Sequence, residues 1–167
     1  DEPDYLDLPR GRIQGRVHLT PQQLRFDELQ IEAGRGKVGL TVDVGLTPGA
    51  GFMVRYSGVA DLDVLGHVAQ IPWGGMLSAE GTIGSIPYGH LRAAARVRAE
   101  GFRFLDVALG RASADVTFSD MVMRLGGIDG EIHQTRYRGE AAIDLHRTPV
   151  AILSSRFEAR GRMRDLF

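Results

Sequence analysis

Residues 110 to 145, GRASADVTFSDMVMRLGGIDGEIHQTRYRGEAAIDL, fall without a gap on residues 11 to 46, GRIQGRVHLTPQQLRFDELQIEAGRGKVGLTVDVGL, when the chain is slid along itself by 99 positions. Six positions are identical: Gly11/Gly110, Arg12/Arg111, Val17/Val116, Arg25/Arg124, Glu32/Glu131 and Leu46/Leu145. The apolar positions coincide more widely, at Leu19/Phe118, Leu24/Met123, Phe26/Leu125, Leu29/Ile128, Val38/Tyr137, Val42/Ala141 and Val44/Ile143. A pattern of faces recurs where identity does not. Such a pattern marks one supersecondary unit used twice, each copy burying its apolar face against a neighbour. The chain accordingly reads as repeat unit A at 11–62, a linker at 63–76, intervening strands at 77–109 and repeat unit B at 110–166.

Within the repeat the period is two. Ile13, Gly15, Val17 and Leu19 alternate with Gln14, Arg16 and His18, which predicts a half-buried strand. Thr20-Pro21 turns the chain into a second strand carrying Leu24, Phe26, Leu29 and Ile31. Its parity changes at Asp27-Glu28, so a bulge is expected there. Val38, Leu40, Val42, Val44 and Leu46 then share one face of the clearest strand, whereas a helix would scatter them around its circumference. The turn Thr47-Pro48-Gly49-Ala50-Gly51 leads to Phe52, Val54 and Tyr56, completing a meander.

Residues 59 to 75 break this rhythm. Val59, Leu62, Leu65 and Val68 are spaced by three, and Pro72 and Gly74-Gly75 close the segment, which predicts a short helix or looped lid over one end of the sheet. Alternation resumes at Leu77, Ala79, Gly81 and Ile83, followed by a turn at 84–89. Leu91, Ala93, Ala95, Val97 and Ala99 then oppose Arg92, Arg96, Arg98 and Glu100. Alanine favours helices, but the strict alternation between Gly89 and Gly101 predicts a strand. In unit B the expected strands carry Ala112, Ala114, Val116 and Phe118, then, after a turn at Ser119-Asp120, Met121, Met123 and Leu125, and finally Tyr137, Gly139, Ala141, Ile143 and Leu145. Thr148-Pro149 and Phe157 to Arg160 echo Thr47-Pro48 and Phe52 to Arg55. The expected fold is all-β and mostly antiparallel, a curved open groove with an apolar inner face.

Composition narrows the function. With net charge −1 and 43% hydrophobic residues over 167 positions, nothing indicates disorder or a nucleic-acid-binding surface. There is no cysteine, hence no disulfide or thiolate metal site. No apolar run reaches the ~20 residues that span a bilayer, and residues 1 to 10 lack the features of a signal peptide. The absence of an initiator methionine reads as a piece of a longer polypeptide, with any targeting signal or anchor outside it. Arginine outnumbers the single Lys37 by 19 to 1, which fits a coding bias better than a functional arginine surface.

Motifs of chemistry are sparse. Gly34-Arg35-Gly36-Lys37-Val38-Gly39 matches GxGxxG, but here it opens a strand and has no βαβ context, so a tight turn is the better account. His18, His67, His90, His133 and His146 have no ligand spacing, and no serine has a nucleophile-elbow setting. No catalytic residue, metal or cofactor is assigned; the chain reads as a non-enzyme. Arg92, Arg96 and Arg98, and Arg156, Arg160 and Arg162, line polar sides of their strands, either solvated or facing lipid phosphates. Met121 and Met123 suit soft contact with an irregular apolar partner.

Two stretches resemble the AsmA-like family of bacterial envelope proteins and its TamB branch. One is GHLRAAARVRAEGFRFLDVALGRASADVTFSDMVMRLGGIDGEIHQTRYRGEAAIDL, 89 to 145; the other is the strand, turn and strand passage GMLSAEGTIGSIPYGHLRA, 75 to 93. The resemblance implies a long U-shaped β-groove, apolar inside, crossing the periplasm in a parent protein anchored in the inner membrane. It also implies a role in phospholipid movement between membranes or in outer-membrane protein assembly with a partner barrel, and it brings no catalytic residues.

The physical reading points the same way. Shielding an acyl chain of roughly 14 methylenes recovers on the order of 11 kcal/mol, so a lipid crosses water only along an unbroken apolar path. The candidate lining residues are Val17, Leu19, Val38, Leu40, Val42, Val44, Leu46, Leu91, Val97, Val116, Phe118, Met121, Met123, Tyr137, Ile143 and Leu145. The expected partners are a phospholipid or other acyl-chain lipid, flanking repeats of the same chain, and an outer-membrane barrel protein. One alternative keeps the fold and changes the cargo to unfolded outer-membrane proteins paired by β-augmentation. Another is a closed β-sandwich or β-helix acting on carbohydrate, in which the same stripe fills a core. The small side chains Gly139, Ala141, Ala112, Ala114, Ala93 and Ala95 favour an open trough with room for a guest.

Overall fold

A computed structural model of the chain describes residues 12–64, 73–85, 91–104, 107–144, 146 and 151–162. They form ten strands: β1 (Arg12–Leu19), β2 (Gln23–Ala33), β3 (Gly36–Gly45), β4 (Phe52–Asp61), β5 (Trp73–Ser85), β6 (Leu91–Phe104), β7 (Val107–Ser119), β8 (Val122–Ile132), β9 (Thr135–Asp144) and β10 (Ala151–Arg160). Every strand pairs antiparallel with its sequence neighbours, giving one open sheet in the order β1 to β10. β1 and β10 are its two edges. A single open sheet corrects the closed-sandwich and β-helix alternatives, because among the described residues the apolar stripe has no second sheet to pack against.

The surface area says the same. An 18.2 kDa chain folded into a compact monomer exposes roughly 8,100 Å², and this one exposes 12208 Å². The buried apolar residues among those described are Leu62, Ala99 and Ile132. Among the described residues the fold is therefore held by its hydrogen-bonded ladder and by cross-strand pairs on each face, with no central core.

The 99-residue spacing recurs in the geometry. β2 and β8, β3 and β9, and β4 and β10 begin and end at positions 99 apart. The irregularities also recur: the β1–β2 register breaks between Gln14 and Arg16, and that of β7–β8 between Ser113 and Asp115. Likewise β2–β3 breaks between Phe26 and Leu29, and β8–β9 between Leu125 and Ile128. The bulge expected at Asp27-Glu28 is present, with Glu28 at φ 52° and its counterpart Gly127 at φ 57°.

Several expectations are corrected. β4 runs through Val59 to Asp61 and β5 starts at Trp73, both inside the segment expected as helix or linker, while the short helix expected there is present as a single turn at 62–64; residues 65–72 lie outside the described residues. β7 runs through the expected boundary at 109/110 without interruption. Met121 is not in a strand: Asp120 and Met121 have φ of 51° and 57°, the two left-handed positions of a tight hairpin turn. β3 ends at Gly45, so Leu46 lies beyond it and is exposed. Leu145, Thr148 and Pro149 fall outside the described residues. The echo of Phe52 to Arg55 in Phe157 to Arg160 also fails. A bulge between Ile152 and Ser154 slides β10, so Phe157 stands across from Gly139 as Tyr56 stands across from Leu40.

Candidate functional site: one apolar face

Cross-strand register turns the alternation of single strands into rows. One row reads Val17, Phe26, Val42, Val54, Ile83, Ala93, Phe118, Met123, Ile143, Ile152, one residue from each of the ten strands, with no polar side chain among them. The adjoining row reads Leu29, Leu40, Tyr56, Gly81, Ala95, Val116, Leu125, Ala141, ending on Ser155. On its other side Leu19, Leu24, Val44 and Phe52 continue through Ser85 to Leu91. Val38 and Val97 join a further row through Gly58 and Ala79, and Tyr137 joins Ala99, Ala112 and Gly130.

Of the sixteen lining residues expected from sequence, the structure brings thirteen onto this face. Met121 sits in a turn, Leu46 lies past a strand end and Leu145 is not described. Sequence reading passed over Leu24, Phe26, Phe52, Val54 and Ile83 as lining residues, although their alternation was visible. Their membership depends on which residue of the next strand stands opposite, and only pairing fixes that.

Two tyrosines shape the face. The Tyr137 ring lies over Gly130, where a side chain would collide with it, and its hydroxyl donates to the Leu109 carbonyl at 2.9 Å, one strand further on. The Tyr56 hydroxyl takes the space above Gly81. Burial raises both phenols above their ordinary pKa. Small residues on one strand thus make room for aromatic rings leaning from the next.

The opposite face is polar and ion-paired. Arg138 meets Asp129 at 2.9 Å, Lys37 meets Glu32 at 2.9 Å, and Arg96 lies between Asp115 at 3.4 Å and Glu80 at 3.9 Å. These pairs are exposed, so each adds little to stability; their effect is to keep this face in water. Among the described residues no group of three His, Asp or Glu side chains is placed to hold a metal, and no helix is long and apolar enough to cross a membrane. The GxGxxG stretch forms the β2–β3 hairpin, with Gly34 at φ 56° in the turn and Gly36 opening β3.

At one end of the sheet a charged clasp joins three segments that are distant in sequence. The Arg35 guanidinium, in the β2–β3 turn, donates to Asp61 Oδ2 at 2.7 Å and Oδ1 at 3.1 Å, and to Asp63 at 3.0 Å. Arg103 of β6 reaches Asp63 at 2.9 Å, over Gly74, which has no side chain to obstruct it. The hydrogen bond from Arg35 holds the buried Asp61 carboxyl at about 2, against the opposing effect of burial. A carboxylate with a depressed folded pKa stabilises the fold above its unfolded pKa and loses that contribution as pH falls. The wild-type thermal midpoint should therefore drop between about pH 4 and about pH 2, and Asp61→Asn should flatten that part of the profile. Parallel profiles would show that the clasp does not couple to folding.

The fold and this face define a class: an open, single-sheet β protein with one apolar and one polar side. Comparison with protein-family models, with curated proteins and with solved structures gives no match.

Proposed function

We propose that this chain is a segment of a hydrophobic groove that conducts phospholipids or other acylated lipids across the periplasm between inner and outer membranes, without catalysis. The observation that carries the reading is the apolar row from Val17 to Ile152, uninterrupted over ten strands of a single open sheet that no other described element covers. At ~4.8 Å between strands the row is about 43 Å long, more than an extended acyl chain needs. Each methylene kept out of water on it contributes about 0.8 kcal/mol, so an acyl chain can slide from strand to strand without a large step in free energy. A headgroup stays in water at the open side and needs no dedicated pocket, which accounts for a sequence rich in pattern and poor in motifs. The resemblance to AsmA-like and TamB proteins agrees with this assignment, and the free edges β1 and β10 are where flanking repeats would continue the sheet.

The same edges favour one other cargo, an unfolded outer-membrane protein captured as an added strand. Site-specific photocrosslinking in cells separates the two. Probes at Val42 and Ile143 lie in the apolar row, and probes at Arg55 and Arg124 lie exposed on the polar face. Lipid adducts at the first pair alone are expected. Protein adducts there would transfer the assignment to assembly, and no adducts at all would sink the open groove.

A further inference from the structure

Near one rim of the polar face, four adjacent strands place Arg111, Glu131, Arg136 and Arg160 directly opposite one another, from β7 to β10. The corresponding row of the first copy is Arg12, Glu32, Lys37 and Val59. The two rows match in charge at three strands and differ at the fourth, where valine is replaced by arginine. Like charges directly opposite on neighbouring strands are destabilising, and Arg136 faces Arg160 in that relation. The acids nearby are already engaged: Glu131 lies 3.6 Å from Arg136, and in the next row Asp129 and Glu158 stand on either side of Arg138. Among the described residues no acid lies within ion-pair distance of Arg160 or Arg111. A shallow hollow lined by Gln134, Arg136, Arg138, Glu158 and Arg160 opens at this point. The end of β10 is fixed beside it, since the Arg162 backbone N–H donates to Thr135 Oγ1 at 2.9 Å and the Arg162 carbonyl accepts from the same hydroxyl at 3.1 Å.

We infer that Arg136 and Arg160, at the hollow between β9 and β10, form an anion site for a phosphate group. Two guanidinium groups rooted about 5 Å apart on neighbouring strands can each present two N–H donors to a tetrahedral oxyanion, and the anion removes the repulsion between them. Phosphate as a free monoester and phosphate in a lipid headgroup share this chemistry. The site is on the polar face, so it stands or falls independently of the apolar groove.

The test uses the whole chain with glycerol 3-phosphate, followed by NMR titration, and with vesicles of pure phosphatidylglycerol or pure phosphatidylcholine, followed by flotation. Arg160→Val installs the residue of the first copy, and Arg160→Lys keeps the charge but loses the fork. Far-ultraviolet circular dichroism checks that β10 remains in place. The expected result is that the wild type binds glycerol phosphate and anionic vesicles, that Arg160→Val weakens binding about tenfold, and that Arg160→Lys falls between. Binding of glycerol phosphate without vesicles assigns the site to free phosphate, and binding of vesicles alone assigns it to headgroups. The inference is overturned if the wild type binds none of them. It is also overturned if Arg160→Val binds as the wild type does; end-to-end association of that variant would then mean that the arginines only guard an open edge.

Discussion

If the sheet is the proposed lipid path, replacing Ile83 with aspartate should leave it folded while abolishing acyl-chain binding. Ile83 sits mid-sheet in the ten-residue apolar row, between Val54 and Ala93, and is only half-buried. In the chain alone the substitution should cost about 1 to 2 kcal/mol, from strand propensity and partial loss of apolar contact. An acyl chain laid along the row would have to strip water from the new carboxylate. A penalty of about 3 kcal/mol there lowers affinity for a fluorescent acyl probe roughly a hundredfold. Measured together, urea unfolding and probe binding must separate. If Ile83→Asp unfolds the protein, the face is covered in solution; if probe binding persists, the row is not the path.

A large effect on stability is expected at Gly110. It has φ 70°, and a side chain added there would meet the Glu131 carbonyl and stand 3.1 Å from the Ile132 Cα, backbone atoms of the next strand that cannot move aside singly. Left-handed backbone at a non-glycine residue costs of order 1–3 kcal/mol by itself. Gly110→Ala should therefore lose about 3 kcal/mol or more, with hydrogen exchange accelerating first in β7 and β8. Gly101, at φ 60° with nothing within 4 Å of an added side chain, isolates the conformational part. Gly101→Ala should lose about 1 kcal/mol. Equal losses at the two sites would mean that strand approach at Gly110 is not what demands glycine.

What could be read from sequence follows from how far each signal reaches. The β3 alternation from Val38 to Val44 and the parity change at Asp27-Glu28 are encoded within a few residues, and both are found where expected. The alanine strand Leu91 to Ala99 was legible because a helix could not gather those residues on one side. The start of β5 was hidden, because Pro72 and Gly74-Gly75 imitate a loop. Gly74 is in fact required where Asp63 and Arg103 pair above it, a contact across 40 positions. Met121 was misread because a two-residue turn with both residues left-handed carries no glycine here. The slide of β10, the Arg35–Asp61 clasp and the arginine row all depend on pairing between strands, which single-strand periodicity does not contain.

The meander has a consequence for growth. Each strand shares a hydrogen-bonded ladder only with the strands before and after it, so inserting a hairpin lengthens the molecule by about 10 Å and disturbs two ladders at most. A compact domain cannot be extended this way without rebuilding its interior. Here length is set by counting hairpins, and it can be increased by duplicating a short stretch of gene.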